Sequence, residues 1–224
     1  MLAHVTSLPV LDAASRACMS CHGPCCFGHS VPISGGDLWR LARGLGVPWQ
    51  ALVELDHHQI GLFDGFRLDR GARHYLFVLK RRASGACHLL IEIDDQHRRC
   101  GVHALRPMAC RRYPLVDSDA PDGAEFGAHA ICPPEKAEIY RAAIPDLRAQ
   151  IDEPQGERAL YQRVLWRWDH LARVTPTDAA MRPDDFYDWV SRVYDAIEPM
   201  RSGDRGAWQP AAYLLVDEFP LPGF

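Results

Sequence analysis

Eight cysteines carry the chemical signal of this chain, and all of them lie between Cys18 and Cys132. Four fall in one run, Cys18-Met-Ser-Cys21-His-Gly-Pro-Cys25-Cys26. Two cysteines separated by two residues can place both sulfurs on one metal ion while backbone N–H groups turn toward them. Gly23 and Pro24 favour a tight turn before the next pair. Adjacent side chains tend to point apart, so the sequence leaves Cys25 and Cys26 to serve different sites, or one of them as a reactive thiol. Cys87, Cys100, Cys110 and Cys132 return from distant segments. A Cys-Pro step such as Cys132-Pro133 is common where a ligand ends an iron–sulfur binding run. The eight form a ligand pool for two four-thiolate sites, or for one cluster with spare thiols.

Four thiolates around Zn²⁺, or around a [4Fe–4S]²⁺ core, leave a net charge of about −2. Basic groups do stand beside the later cysteines: Lys80-Arg81-Arg82 near Cys87, Arg98-Arg99 near Cys100 and Arg111-Arg112 near Cys110. Any one pair reads most simply as solvated surface charge. Three such groups near three ligands point to charge compensation or to an anionic substrate. Arg106, Arg111 and Arg112 are candidate cofactor-binding residues, because a guanidinium matches a carboxylate or phosphate with two parallel hydrogen bonds. His22, His88 and His103 neighbour cysteines and are candidate ligands or proton donors, although a lone His is more often a surface or core residue. No residue is assigned a catalytic role.

The ordered motifs Cys18-x-x-Cys21-x-x-x-Cys25-Cys26, Gly85-Ala-Cys87-His-Leu-Leu90 and Cys100-x-x-His103-x-x-Arg106-Pro107-x-x-Cys110-Arg111-x-Tyr113-Pro114 resemble the YkgJ-type cysteine-cluster family. That family is named for chelation of zinc or iron, and its domain also occurs in flagellin lysine N-methylase. The resemblance covers roughly Cys18 to Cys132 and implies a cysteine-bound metal centre. Its methylase branch implies an iron–sulfur cluster and S-adenosylmethionine-dependent methylation of lysine side chains, hence a protein substrate. Two mechanisms lack their usual signals. There is no strand–Gly-rich loop–helix unit of a methyltransferase, and Cys-x-x-Cys-x-x-x-Cys reverses the order common in radical enzymes. The alternatives to an iron–sulfur enzyme are a zinc-stapled interaction module and a soft-metal handling protein.

The rest of the composition bounds these readings. The chain has 224 residues, 47% of them hydrophobic, and a net charge of −4, which suits a globular protein rather than a general nucleic-acid binder. Its first residues lack a basic stretch ahead of an apolar one, and no apolar run reaches bilayer-spanning length, so neither a signal peptide nor a membrane partner is expected. A cytoplasmic, reducing setting follows, in which clustered cysteines are ligands more often than disulfides. Oligomeric state has no sequence signal.

The elements that must position the cysteines divide by charge. Residues 1–132 hold 14 Lys/Arg against 13 Asp/Glu, whereas residues 133–224 hold 11 against 16. We expect an α+β fold: a metal-binding module over 1–134, and a helical region over 135–224 docked on it. Within the module, Ser34-Gly35-Gly36-Asp37 should start a helix carrying Leu38, Leu41, Ala42 and Leu45, closed by Gly44 and Gly46. A second helix should start at Pro48, carry Trp49, Leu52, Val53 and Leu55, and end at His57-His58. Residues 75–79 and 89–93 read as an antiparallel pair around Ala83-Ser84-Gly85. Beyond residue 134, three apolar stripes predict helices: Ile139, Ala143, Leu147 and Ile151; Leu160, Val164, Trp168 and Leu171; Phe186, Val190, Val193 and Ile197. The apolar tail from Trp208 should pack across the body.

Overall fold

The structure is a computed structural model that describes residues 21–58, 65–71, 73–94, 97–117, 124–126, 131–176, 181–201 and 208–223. Cys18 lies outside the described residues. The fold is α+β. Its elements are α1 (Cys25–Gly28), β1 (Pro32–Ile33), α2 (Gly35–Leu45), β2 (Val53–His58), β3 (His74–Leu79), β4 (Leu90–Glu92), β5 (Arg98–Cys100), α3 (Met108–Arg112), β6 (Leu115–Asp117), β7 (Ala124–Phe126), α4 (Pro134–Val174), α5 (Pro183–Arg201) and α6 (Trp208–Glu218).

Helix α2 forms where its sequence predicts, although Gly44 lies within it and Leu45 is exposed. Ser34 accepts the Asp37 N–H at 3.0 Å and so caps the first turn. Gly46 ends the helix in the left-handed region at φ 65°. The second expected helix is only a 3₁₀ turn over Trp49–Ala51, and the chain then becomes strand β2. Val53 is buried while Glu54 and Asp56 are exposed, so a period of two governs this stretch. His57 and His58 therefore sit at a strand end, paired with Tyr75 and His74.

Strand β3 is the centre of a three-stranded antiparallel sheet in the order β1-β3-β2. Ile33 and Leu55 both pair with Phe77 from opposite sides. Both edges of β3 are thus occupied, and the expected pairing of 75–79 with 89–93 cannot form. The chain makes a single bridge between Arg81 and Cys87, around Gly85 at φ 80°, and then leaves. β4 pairs with β5 instead, matching Leu90 to Cys100.

The second and third apolar stripes are helical and buried. Leu160, Val164 and Trp168 lie on α4 with the half-buried Leu171, and Phe186, Val190, Val193 and Ile197 lie on α5. The first stripe belongs to the same long helix α4, which begins at Pro134, a residue suited to a first helical turn. Ile139 in that stripe is exposed, and the side chains of Ala143, Leu147 and Ile151 lie outside the described residues. The tail forms α6, which buries Ala212 and Val216 against α4 and α5.

One apolar core joins these helices to the sheet. Phe66 stacks on Phe186 with ring centroids 4.0 Å apart, and Trp168 packs on Trp189 at 5.7 Å. Each such side chain contributes roughly 1.5–3 kcal/mol when fully buried. The start of α2 lies directly against α5. A Cβ on Gly35 would stand 2.8 Å from Val190, and one on Gly36 would stand 2.5 Å from the Tyr194 ring. Glycine permits that approach, and it fixes α2 as the platform on which the cysteine segments rest. No helix among the described residues is long and apolar enough to cross a membrane.

Candidate metal centre

The site begins at Gly23, whose φ of 66° turns the chain into α1. The Cys26 N–H donates to the Gly23 carbonyl at 2.9 Å, and the Gly28 N–H donates to Pro24 at 3.0 Å. This turn puts Cys25 and Cys26 on the same side of the loop. Their thiols hydrogen-bond each other and line one cleft. The Cys87 N–H donates to the Cys26 carbonyl at 2.7 Å, which brings the second motif against the first.

Seven cysteines, Cys21, Cys25, Cys26, Cys87, Cys100, Cys110 and Cys132, line this cleft of about 330 Å³. Five segments deliver them. The turn and α1 carry the first three. Cys87 follows the Gly85 turn, Cys100 ends β5, and Cys110 sits on α3. Cys132 precedes α4. Its neighbour Ile131 donates its N–H to the Tyr113 hydroxyl at 2.6 Å, which ties the start of α4 to the end of α3. None of the seven is in a disulfide.

α3 is held in turn by α2. The buried Asp37 carboxylate accepts the Met108 N–H with both oxygens, at 3.0 and 3.1 Å. Arg40 donates to Asp37 at 2.5 Å and to the Arg106 carbonyl at 3.3 Å. The core thereby sets where Cys110 and Arg106 stand.

Thiols crowded this closely disturb one another. The Cys26 thiol's hydrogen bond, against opposing burial, and with help from backbone N–H groups and Arg106, brings Cys25 down from 9.0 to about 7. Donating to Cys25 pushes Cys26 up, and burial and the charges of Cys25, Cys87 and Cys100 add to the rise. Burial pushes Cys87, Cys100 and Cys110 up as well, reinforced by their neighbouring cysteines. A cation among them would relieve this repulsion, since metal ligation exchanges thiol protons for the ion. The donor set therefore fits a soft thiophilic metal. The thiols share a cleft rather than a closed cage: among the described residues no three His, Cys, Asp or Glu side chains already converge on one ion.

The basic groups divide. Arg106 lines the cleft, as do Arg98, Arg99 and Lys136, whereas Arg111 and Arg112 sit on α3 away from its lining. Lys80, Arg81 and Arg82 also point elsewhere. Arg81 donates to the Phe27 and Gly85 carbonyls, and Arg82 to Leu90 and Glu92, so both staple the turn between β3 and β4. His103 lines the cleft; His22 and His88 do not.

His29 is a lining residue that the motif spacing missed. Its ring packs on Tyr113 at 5.1 Å, and its buried Nε2 has no hydrogen-bond partner among the described residues. It lies one helical turn after Cys25 and Cys26, a spacing that could have marked it. Asp37 carried no comparable signal, because its role depends on a contact 71 positions away.

A family model described as "Putative zinc- or iron-chelating domain", CxxCxxCC, matches residues 17–133, just over half of the chain. No curated protein and no solved structure matches the chain.

Proposed function

The chain belongs to the CxxCxxCC cysteine-cluster family, and from that premise we propose that its cleft holds a cysteine-ligated iron–sulfur cluster with an enzymatic role. The observation that carries the proposal is the gathering of seven cysteines around one open space of about 330 Å³. A structural zinc site is closed by four ligands around a single ion and leaves no such room. One water needs only about 10–15 Å³ of cavity. The cleft also presents cationic groups and two imidazoles beside the thiols, more than a stapling site requires. The enzymatic form of the proposal is redox chemistry or methyl transfer, with S-adenosylmethionine as candidate methyl donor and a protein lysine as candidate acceptor.

Parallel aerobic and anaerobic preparations test the metal. Brown protein carrying iron and acid-labile sulfide is expected from the anaerobic one. Colourless protein with stoichiometric zinc from both would overturn the iron–sulfur assignment and favour a zinc-stapled module or a metal-handling role.

A further inference from the structure

We infer that Arg106 and Arg99 bind the carboxylate or phosphate of a small anion with an apolar body, inside the cysteine cleft. The inference rests on the metal reading above only for its charge balance. Four cationic residues, Arg98, Arg99, Arg106 and Lys136, line the cleft, and among the described residues no Asp or Glu does. A four-thiolate centre accounts for about −2 of charge, less than the formal charge of these four groups, although Arg98 also faces Glu92 and Lys136 has a partner of its own.

The arginines differ in how far they are committed. Arg98 lies over the Phe27 ring at 5.0 Å and approaches Glu92 at 3.7 Å. Arg106 spends only its Nε, on the His103 carbonyl at 3.2 Å, and its two terminal nitrogens have no hydrogen-bond partner among the described residues. Arg99, exposed at the rim of the cleft and paired across the strands with Ile91, forms neither a side-chain hydrogen bond nor an ion pair among the described residues. A guanidinium anchored through Nε presents its remaining N–H groups as a fork that matches two oxygens of one anion. The Arg106 backbone is held as well, by Arg40 on its carbonyl and by Asp37 on Met108, so the fork is placed in advance. Around these cations Val31, Leu79, Leu89 and Val102 make apolar wall, which suits an anion with a hydrocarbon body rather than a bare inorganic ion.

Calorimetric titration of the metal-loaded full chain tests this with hexanoate, butyl phosphate and, as a cationic control, hexylammonium. Saturable binding of at least one anion and none of hexylammonium is expected; which anion binds more tightly identifies the headgroup. Arg106→Lys keeps the charge and loses the fork, so it should retain metal and weaken the anion by about tenfold or more. Arg99→Gln should also weaken it, and Arg182→Gln, outside the cleft, should not. Absence of saturable anion binding to protein of verified metal content would overturn the inference and leave the metal reading standing. So would an Arg106→Lys variant that binds the anion like wild type while Arg106→Gln loses metal, because the guanidinium would then be counter-charge alone. Protein that carries no metal from either preparation would sink the metal reading instead, and the same titration on it would still decide the anion site.

Discussion

The Asp37 carboxylate receives the Met108 backbone N–H on both of its oxygens, across 71 positions of sequence. This buried acid joins the core helix α2 to α3, the helix that carries Cys110. Arg40 supplies the opposite charge at 2.5 Å. Asp37→Asn keeps the shape but turns one acceptor into a donor facing an N–H. Loss of a charged acceptor for a buried donor costs about 2–3 kcal/mol. The urea midpoint should therefore fall with an unchanged slope, and metal content per folded chain should fall with it. An unaltered midpoint would mean that Met108 is satisfied another way.

Gly36 tests how α2 is seated on α5. A Cβ there meets the Tyr194 ring at 2.5 Å, and Tyr194 is buried with little room to move. Gly36→Ala gains up to about 1 kcal/mol from helix propensity. Overpacking a rigid core typically costs about 1–3 kcal/mol. The clash should win, and thermal unfolding of the variant should begin at lower temperature than wild type.

Much of this architecture is legible in the sequence because it is local. The Ser34 cap, the Gly46 stop and the buried stripes of α4 and α5 each follow from residues within a few turns of one another. The cysteine motifs announce a ligand set for the same reason. What the sequence conceals is long-range. Strand β3 takes β1 and β2 as neighbours, and this leaves residues 89–93 to pair with β5; no local pattern reports which edge is already filled. Val53 and Leu55 fit a helical or a strand period equally well over so short a run, and pairing with β3 decides it. The basic clusters beside Cys87 and Cys110 read as compensation, yet Arg81 and Arg82 hold turn carbonyls while Arg98 and Arg99 reach the cleft. Charge is visible in sequence, but the direction of a side chain is not.

Glu157 gives a pH test of the helical part. Burial pushes its carboxyl above the ordinary 4.5, while Arg201, paired at 2.6 Å, opposes the rise. The folded chain thus holds this proton more tightly than the unfolded chain. The contribution to stability is complete below about pH 4.5 and is lost as pH rises through the higher folded value. Glu157→Gln cannot titrate, so wild-type stability should decline relative to the variant as pH is raised from about 4 to 7. Urea midpoints at stepped pH measure the difference. Parallel profiles would mean that Arg201 cancels the effect of burial.

Metal removal should separate the two sources of order in this fold. The core built from α2, β3, α4, α5 and α6 buries its own apolar surface, including Trp168, Trp189 and Phe186, and needs no ligand to do so. The segments that deliver the cysteines reach that core at few points, chiefly Val102: α1 buries no residue, and neither does α3. They are held by single backbone bonds, such as Cys87 to Cys26, and by the Asp37 and Tyr113 contacts. A chelator strong enough to strip the metal should therefore leave the far-ultraviolet helical signal nearly intact. Amide exchange should accelerate over residues 21–28 and 98–115 by far more than in α5. Loss of the whole helical signal on chelation would show instead that the metal supports the core itself, as in small domains that fold only around their ion.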